Sequence, residues 1–157
     1  MRVGFGFDVH QLADGKDFWL GGIKIEHSKG AVGHSDADVM IHAICDALLG
    51  AANLGDIGVH FSDTSPEFKA IDSKLLLKRV VRLISERNYS IGNIDVTLCL
   101  QRPKIKDHIP VMKATLCNVM QIPDSDLSIK ATTTEKLGYV GREEGISCYA
   151  VALLKPI

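Results

Sequence analysis

The sequence predicts an α+β fold, a mixed β-sheet covered by helices on one face with a short hairpin beside it. Two observations carry that prediction. Segments with apolar residues at alternate positions, the period of a half-buried strand, are interspersed with segments whose apolar residues recur at the spacing of a helix face. They follow in the order strand, hairpin, helix, helix, strand, helix, strand, strand, with no internal repeat. The 157 residues are enough to close one hydrophobic core and contain no stretch that reads as a linker, so one domain over 1–157 is expected.

Val3, Phe5 and Phe7 alternate with Gly4 and Gly6 ahead of Asp8, which opens the chain on a strand. The two glycines are half of a dinucleotide fingerprint, but position 9 is Val and little strand precedes them, so that reading fails. Phe18-Trp19-Leu20 and Ile23-Lys24-Ile25 flank Gly21-Gly22, whose glycines suit the positive φ of a tight hairpin. From Ser35 to about Asn53, Val39, Met40, Ile44, Ala47, Leu48 and Ala51 recur at helical spacing, with Ser35 or Asp36 as N-cap and Gly55 beyond the end.

Residues 55–72 mix Gly, Ser, Thr, Asp and Pro without a period and read as a long loop, a common site of function. A second helix is predicted from about Ser73 to Arg87, its basic outer face solvated. Ile94, Val96, Leu98 and Leu100 alternate with polar residues in a strand that ends at Pro103. A helix over Ile109–Met120 follows, with Pro110 in its first turn. Strands are predicted over Leu127–Thr134 and Ile146–Leu154, the last apolar on both faces and therefore central or covered by a partner.

Eighteen Lys and Arg against nineteen Asp and Glu give a net charge of -1, so no global field favours nucleic acid or an anionic membrane. The start, MRVGFGFDVH, lacks a basic region followed by an apolar run, and residues 37–55 are interrupted by Asp38, His42 and Asp46. Neither a secretory signal nor a membrane span is expected, and the compartment read is the cytoplasm, with an organelle matrix left open. Cys45, Cys99, Cys117 and Cys148 are scattered in apolar stretches and read as reduced thiols.

Asp8 and His10 are two apart at the end of a strand, so their side chains project to one face, as two ligands of a single metal would. His34, Asp38, His42 and Asp46 follow at intervals of four, the last three on one helix face distinct from the apolar one. A solvated polar face explains that spacing. So does a metal site, since His42 added to Asp8 and His10 makes two imidazoles and a carboxylate, the set of an open zinc site. Asp56 and Asp63 sit in the long loop with His60, as turn formers or as contacts to a hydroxylated substrate, and their spacing favours turns. In Lys130-Ala131-Thr132-Thr133-Thr134-Glu135-Lys136 a run of hydroxyls precedes an acid and Gly138, either a phosphate and Mg²⁺ cradle or plain β-propensity.

GFDVH at 6–10, HSDADVMIHAICDALLGAANLGDIG at 34–58, QRPK at 101–104 and KATTTEKLGYVGREEGI at 130–146 together resemble the 2-C-methyl-D-erythritol 2,4-cyclodiphosphate synthases, the cyclases of the non-mevalonate isoprenoid pathway. The likeness covers nearly the whole chain. It implies one Zn²⁺ per subunit on Asp8, His10 and His42, with Asp46, one turn beyond His42, read as an acceptor that orients an imidazole, and a second divalent ion, Mg²⁺ or Mn²⁺, at Glu135. It implies that His34, Ser35, Asp56, Ile57, Gly58 and Asp63 line the methylerythritol phosphate pocket, and that Leu100, Lys104, Ile105, Ala131, Thr132 and Thr133 grip the cytidine diphosphate. His34 and Thr133 would position the transition state.

The resemblance further implies a homotrimeric ring with active sites between subunits, and Tyr139 and Arg142 facing an axis that in some members holds an isoprenoid phosphate. Ala37 and Ser62 stand where many members carry Gly and Pro, and Glu143 where Gly is frequent. Against the cyclase stand a zinc-dependent phosphoester hydrolase, because an open-site zinc also activates water, and a non-catalytic trimeric nucleotide-binding protein.

Overall fold

The computed structural model describes residues 1–62 and 64–157. In chain order its elements are β1 (Arg2–Asp14), β2 (Phe18–Leu20), β3 (Ile23–Ile25), β4 (Lys29–Val32), α1 (Val39–Ala51), α2 (Ile57–His60), α3 (Ser73–Glu86), β5 (Tyr89–Cys99), α4 (Ile109–Met120), β6 (Leu127–Thr132), α5 (Gly138–Gly141) and β7 (Gly145–Pro156). Among the described residues the main sheet has five strands in the order β4-β1-β7-β5-β6, and β2 pairs with β3 in a separate hairpin. β5 and β6 run parallel while β1, β4, β5 and β7 pair antiparallel, which makes the sheet mixed. The last strand is central, as its doubly apolar pattern predicts.

Gly4 and Gly6, the small residues of β1, face the core, and their larger neighbours Val3, Phe5 and Phe7 face outward. The glycines point inward because α1 lies directly on the strand. A Cβ at Gly4 would stand 1.9 Å from the Ala47 carbonyl oxygen, and one at Gly6 1.9 Å from that of Ala43. With Ala43 and Ala47 opposite, the backbones of strand and helix meet with no large side chain between them. Ile94, Val96 and Leu98 of β5 and Cys148, Ala150 and Ala152 of β7 continue this inner face. The long helix α1 lies on that side.

The predicted hairpin and α4 stand at their expected bounds, and the four cysteines are free thiols. Other boundaries move. α1 begins at Val39 with Asp38 as N-cap, because Ala37 adopts the left-handed region (φ 59°) and cannot be helical. It ends at Ala51, before Asn53 turns left-handed at φ 58°. The 55–72 loop holds α2 and a 3-10 turn at Pro66–Phe68. β5 starts at Tyr89, its register shifting between Ile91 and Asn93 where Gly92 interrupts the alternation. β4 and α5, four residues each, are too short for a period to reveal.

Candidate metal centre and adjoining clefts

The close approach that Gly4 and Gly6 permit carries His42 on α1 over the inner face of β1, where Asp8 and His10 lie mid-strand rather than at a strand end. His10 Nε2 is 2.9 Å and His42 Nδ1 3.0 Å from Asp8 Oδ2, and the two nitrogens are 3.1 Å apart. The three atoms form a nearly equilateral triangle. Tetrahedral zinc at ordinary bond lengths needs ligand atoms about 3.4 Å apart, so a few tenths of an ångström of relaxation would admit the ion and leave a fourth position open. Among the described residues, these three form the cluster able to hold a metal.

The protein around the triangle sets its electrostatics. His10 Nδ1 lies 3.0 Å from the Val32 carbonyl oxygen, which can only accept, so Nδ1 carries a proton and Nε2 is the nitrogen left for the site. Burial raises the Asp8 carboxyl, but hydrogen bonds from His10 and His42 outweigh it and hold the group at about 2. Burial lowers the His10 imidazole, and the facing Asp8 carboxylate more than reverses this, so the group stands above the ordinary value of 6.5.

Asp38 and His42 are buried rather than displayed on a solvated helix face, because α1 is covered nearly all round. The Asp38 carboxylate accepts from Gly21 N at 3.0 Å, Gly22 N at 2.7 Å and Ile41 N at 3.1 Å, fastening the hairpin turn to the start of α1. Asp46, one turn beyond His42, does not orient an imidazole. Its Oδ1 accepts from Ile57 N at 2.8 Å and holds the start of α2. Burial pushes the Asp46 carboxyl up, and the Ile57 N–H counters in part.

A cavity of about 250 Å³ opens beside the triangle, lined by Asp8, His10, His34, Ser35, His42 and Ile57 with the apolar Phe61, Phe68, Ile71 and Leu76. His34 Nε2 lies 3.1 Å from the Ser65 carbonyl oxygen. Asp56 and Gly58 are not in that lining. Asp56 N-caps α2, accepting from Val59 N at 3.1 Å, the turn-forming role that its spacing favours. Asp63 lies outside the described residues.

A second, larger cleft of about 700 Å³ is lined by Leu100, Lys104, Ile105, Ala131, Thr132 and Thr133 together with His27, Gln101, Arg102, Pro103, Lys106 and Ile109. Glu135 stands outside both cavities, exposed and left-handed at φ 53°, with its N–H donated to Thr133 Oγ1 at 3.3 Å. Arg142 donates to the Glu144 carboxylate through Nε at 2.9 Å and a second nitrogen at 3.1 Å. The Tyr139 ring lies against Gly145.

The two cavities belong to different strands. Asp8 registers with Cys148, Cys148 with Leu98 and Leu98 with Ala131, so triad and cleft are three strand spacings apart, about 14 Å. Sequence reasoning did not find His27, which reaches the cleft from beyond the hairpin, or Ser73, whose hydroxyl lies 3.0 Å from His42 Nε2. Neither carries a local signal, since the contacts span 31 residues and more of chain.

The YgbB family model matches residues 1–155. A 2-C-methyl-D-erythritol 2,4-cyclodiphosphate synthase of Bacteroides thetaiotaomicron is 64% identical over 99% of this chain and 98% of its own, and one of Porphyromonas gingivalis is 61% identical over 98% and 94%. Among solved structures, a 2C-methyl-D-erythritol-2,4-cyclodiphosphate synthase in its CDP-bound form has a TM-score of 0.91 at 34% identity, over 98% of this chain and 100% of that one. The bifunctional IspDF from Campylobacter jejuni has a TM-score of 0.96 at 38% identity, and this chain spans 42% of that longer one. A match of that extent decides membership: the chain belongs to the YgbB family of 2-C-methyl-D-erythritol 2,4-cyclodiphosphate synthases.

Proposed function

We propose that residues 1–157 form a single cyclodiphosphate synthase domain that converts 4-diphosphocytidyl-2-C-methyl-D-erythritol 2-phosphate to 2-C-methyl-D-erythritol 2,4-cyclodiphosphate with release of CMP. The observation that carries the reading is the triangle of Asp8, His10 and His42 in a chain 64% identical to a protein of that name. The 2-phosphate attacks the β-phosphorus, the bond from that phosphorus to the oxygen bridging it to the α-phosphate breaks, and CMP departs with that oxygen. A phosphate monoester has a second pKa of about 6, so the nucleophile is already largely dianionic at neutral pH and needs no strong base. What remains is repulsion between anions and the ordering of a flexible chain into a ring.

Bound at the triad, Zn²⁺, with Mg²⁺ or Mn²⁺ at Glu135, supplies positive charge against the reacting phosphates. Asp8, His10 and His42 hold the first ion, and their fit rests on the donor set and the 2.9–3.1 Å triangle. His34, Ser35, Asp56, Ile57, Gly58 and Asp63 take the methylerythritol phosphate in this reading. His34, Ser35 and Ile57 have the support of lining the cavity beside the triad. Leu100, Lys104, Ile105, Ala131, Thr132 and Thr133 take the cytidine diphosphate, supported by their gathering around one cleft. His34 and Thr133 position the transition state from the two sides.

The assembly is a homotrimer with each site between neighbours, in support of which the triad and the cleft of one chain lie about 14 Å apart across the sheet. Its central cavity is read as the place for an isoprenoid phosphate at Tyr139 and Arg142. Such a phosphate competes there with Glu144, which already engages the guanidinium. No described helix is long and apolar enough to cross a membrane. The compartment read is the cytoplasm, in keeping with the bacterial relatives.

The test is phosphorus NMR of the purified protein with the diphosphocytidyl substrate, Zn²⁺ and Mg²⁺, beside His42→Ala. Cyclic diphosphate and CMP from the unsubstituted protein alone are expected. Linear phosphates would assign a hydrolase, and unchanged substrate with folded, zinc-loaded protein would assign a binding protein.

A further inference from the structure

The inner edge of the triad holds a hydrogen-bond chain that the reaction as described does not use. His42 Nε2 points away from Asp8 and lies 3.0 Å from two hydroxyls, Ser35 Oγ and Ser73 Oγ. Ser73 is fully buried at the first position of α3, and its hydroxyl donates to Asp36 Oδ1. Asp36 is fixed in turn, its Oδ2 accepting from Ser73 N at 2.9 Å and its Oδ1 from Asp38 N at 3.1 Å.

Counting protons decides the direction of this chain. A hydroxyl has one proton to give, and a carboxylate can only accept. Because the Ser73 proton goes to Asp36, Ser73 Oγ meets His42 Nε2 only as an acceptor, so the nitrogen must carry the hydrogen. Its partner Nδ1 lies 3.0 Å from Asp8 Oδ2, an acceptor that holds a proton there without metal, so a metal that displaces this proton takes the Nδ1 lone pair while Nε2–H stays on Ser73. Ser35 alone would not decide the matter, since its hydroxyl, which accepts from Ala37 N at 3.2 Å, is free to donate to Nε2 and reverse the tautomer.

We propose that Ser73, backed by the Asp36 carboxylate, is a positioning residue that holds the Nε2 proton of His42 and so presents Nδ1 as the nitrogen that a metal takes. The proposal rests on the metal reading of the triad. It deepens that reading by assigning the relay that orients the buried ligand, a role that outer partners of metal-bound imidazoles commonly play. A second consequence follows for Ser35. With Nε2 fixed as a donor, the Ser35 proton has no use at His42 and is free to turn into the cavity that Ser35 lines.

The test uses the full chain, ¹⁵N-labelled and loaded with zinc, at pH 8. Nitrogen spectra should show His42 protonated at Nε2, with that proton in slow exchange, and metal-bound at Nδ1. Ser73→Ala and the nearly isosteric Asp36→Asn should each speed exchange of the Nε2 proton and weaken zinc binding, read by chelator competition, by about 10–100-fold. Ser73→Thr, which keeps the hydroxyl, should restore the slow exchange and most of the affinity. An equally slow Nε2 proton and unchanged zinc affinity in both Ser73→Ala and Asp36→Asn would overturn the relay while the metal reading stood. Failure of the unsubstituted chain to bind zinc would overturn the metal reading and the proposal with it.

Discussion

His10 Nε2 and His42 Nδ1, on a strand and a helix 32 residues apart, face each other across 3.1 Å with one oxygen of Asp8 closing the triangle. Two nitrogen lone pairs and a carboxylate at that separation repel one another unless positive charge lies among them. A proton on His10 and a divalent cation at the centre both meet that need, and they compete for it.

The competition has a pH signature. The Asp8 carboxylate more than offsets burial and raises His10 above 6.5, so its proton is lost only above that value. Zinc affinity should therefore weaken about tenfold per unit as pH falls, from a point already above 6.5. Chelator competition from pH 8.5 to 6 reads this directly, and an affinity flat between pH 7 and 6 would contradict it.

In metal-stripped protein the same groups act on stability. The Asp8 carboxyl is held at about 2 against an ordinary 3.8, so it stabilises the fold above pH 3.8 and that contribution is lost as pH falls toward 2. The difference corresponds to about 2 kcal/mol. His10, raised, stabilises below 6.5 and loses its share as pH rises through its folded value. The stability advantage over Asp8→Asn should thus be greatest between pH 4 and 6.5 and shrink on both sides. Parallel profiles for the two proteins in chemical denaturation would refute the coupling.

The triad depends on how closely α1 sits on β1. Gly6→Ala places a methyl 1.9 Å from the Ala43 carbonyl oxygen, a backbone atom that no rotamer change can move aside. The substitution should cost about 3 kcal/mol or more, push His42 away from Asp8 and His10, and weaken zinc binding together with stability. Denaturation midpoints and zinc titration measure the two effects, and a variant as stable as the parent would show that the helix gives way freely.

Much of this was readable in the sequence, and the limits follow from range. Asp8 and His10 share a face by the period of a strand, and the helix bearing His42 is legible from Val39, Ile44 and Leu48. Which face of β1 turns inward was not legible, because Gly4 and Gly6 gain meaning only against Ala43 and Ala47. Ala37 was missed as a helix boundary because nothing local announces a left-handed alanine. Ser73 and Asp36 meet across 37 residues, a contact that no periodicity encodes.

Asp46 shows how a correct spacing can suggest the wrong partner. One turn beyond His42 it resembles a support for the imidazole, yet its carboxylate is committed to Ile57 N at 2.8 Å. Asp46→Ala should leave zinc affinity unchanged, cost about 1 kcal/mol through the unpaired N–H, and raise KM by loosening the start of α2 beside the cavity. Reduced zinc content in the folded variant would return Asp46 to the metal site.

The outer face of the sheet carries the last prediction. Val3, Phe5, Phe7 and Val9 of β1 and Tyr149 and Val151 of β7 stand exposed side by side, with Phe7 opposite Tyr149 and their rings 5.1 Å apart. A contiguous apolar face of this kind on an antiparallel strand pair calls for a cover, and in the proposed trimer the neighbouring subunits provide it. Phe7→Asp places a charge in the middle of that face without touching the inner side of the sheet. It should convert the trimer to monomers by sedimentation. Zinc should remain bound, since Asp8, His10 and His42 come from one chain, while turnover falls at least about a hundredfold because the cleft of a neighbour no longer meets the triad. A monomeric parent protein, or a monomeric variant that keeps full turnover, would place the whole site within one subunit.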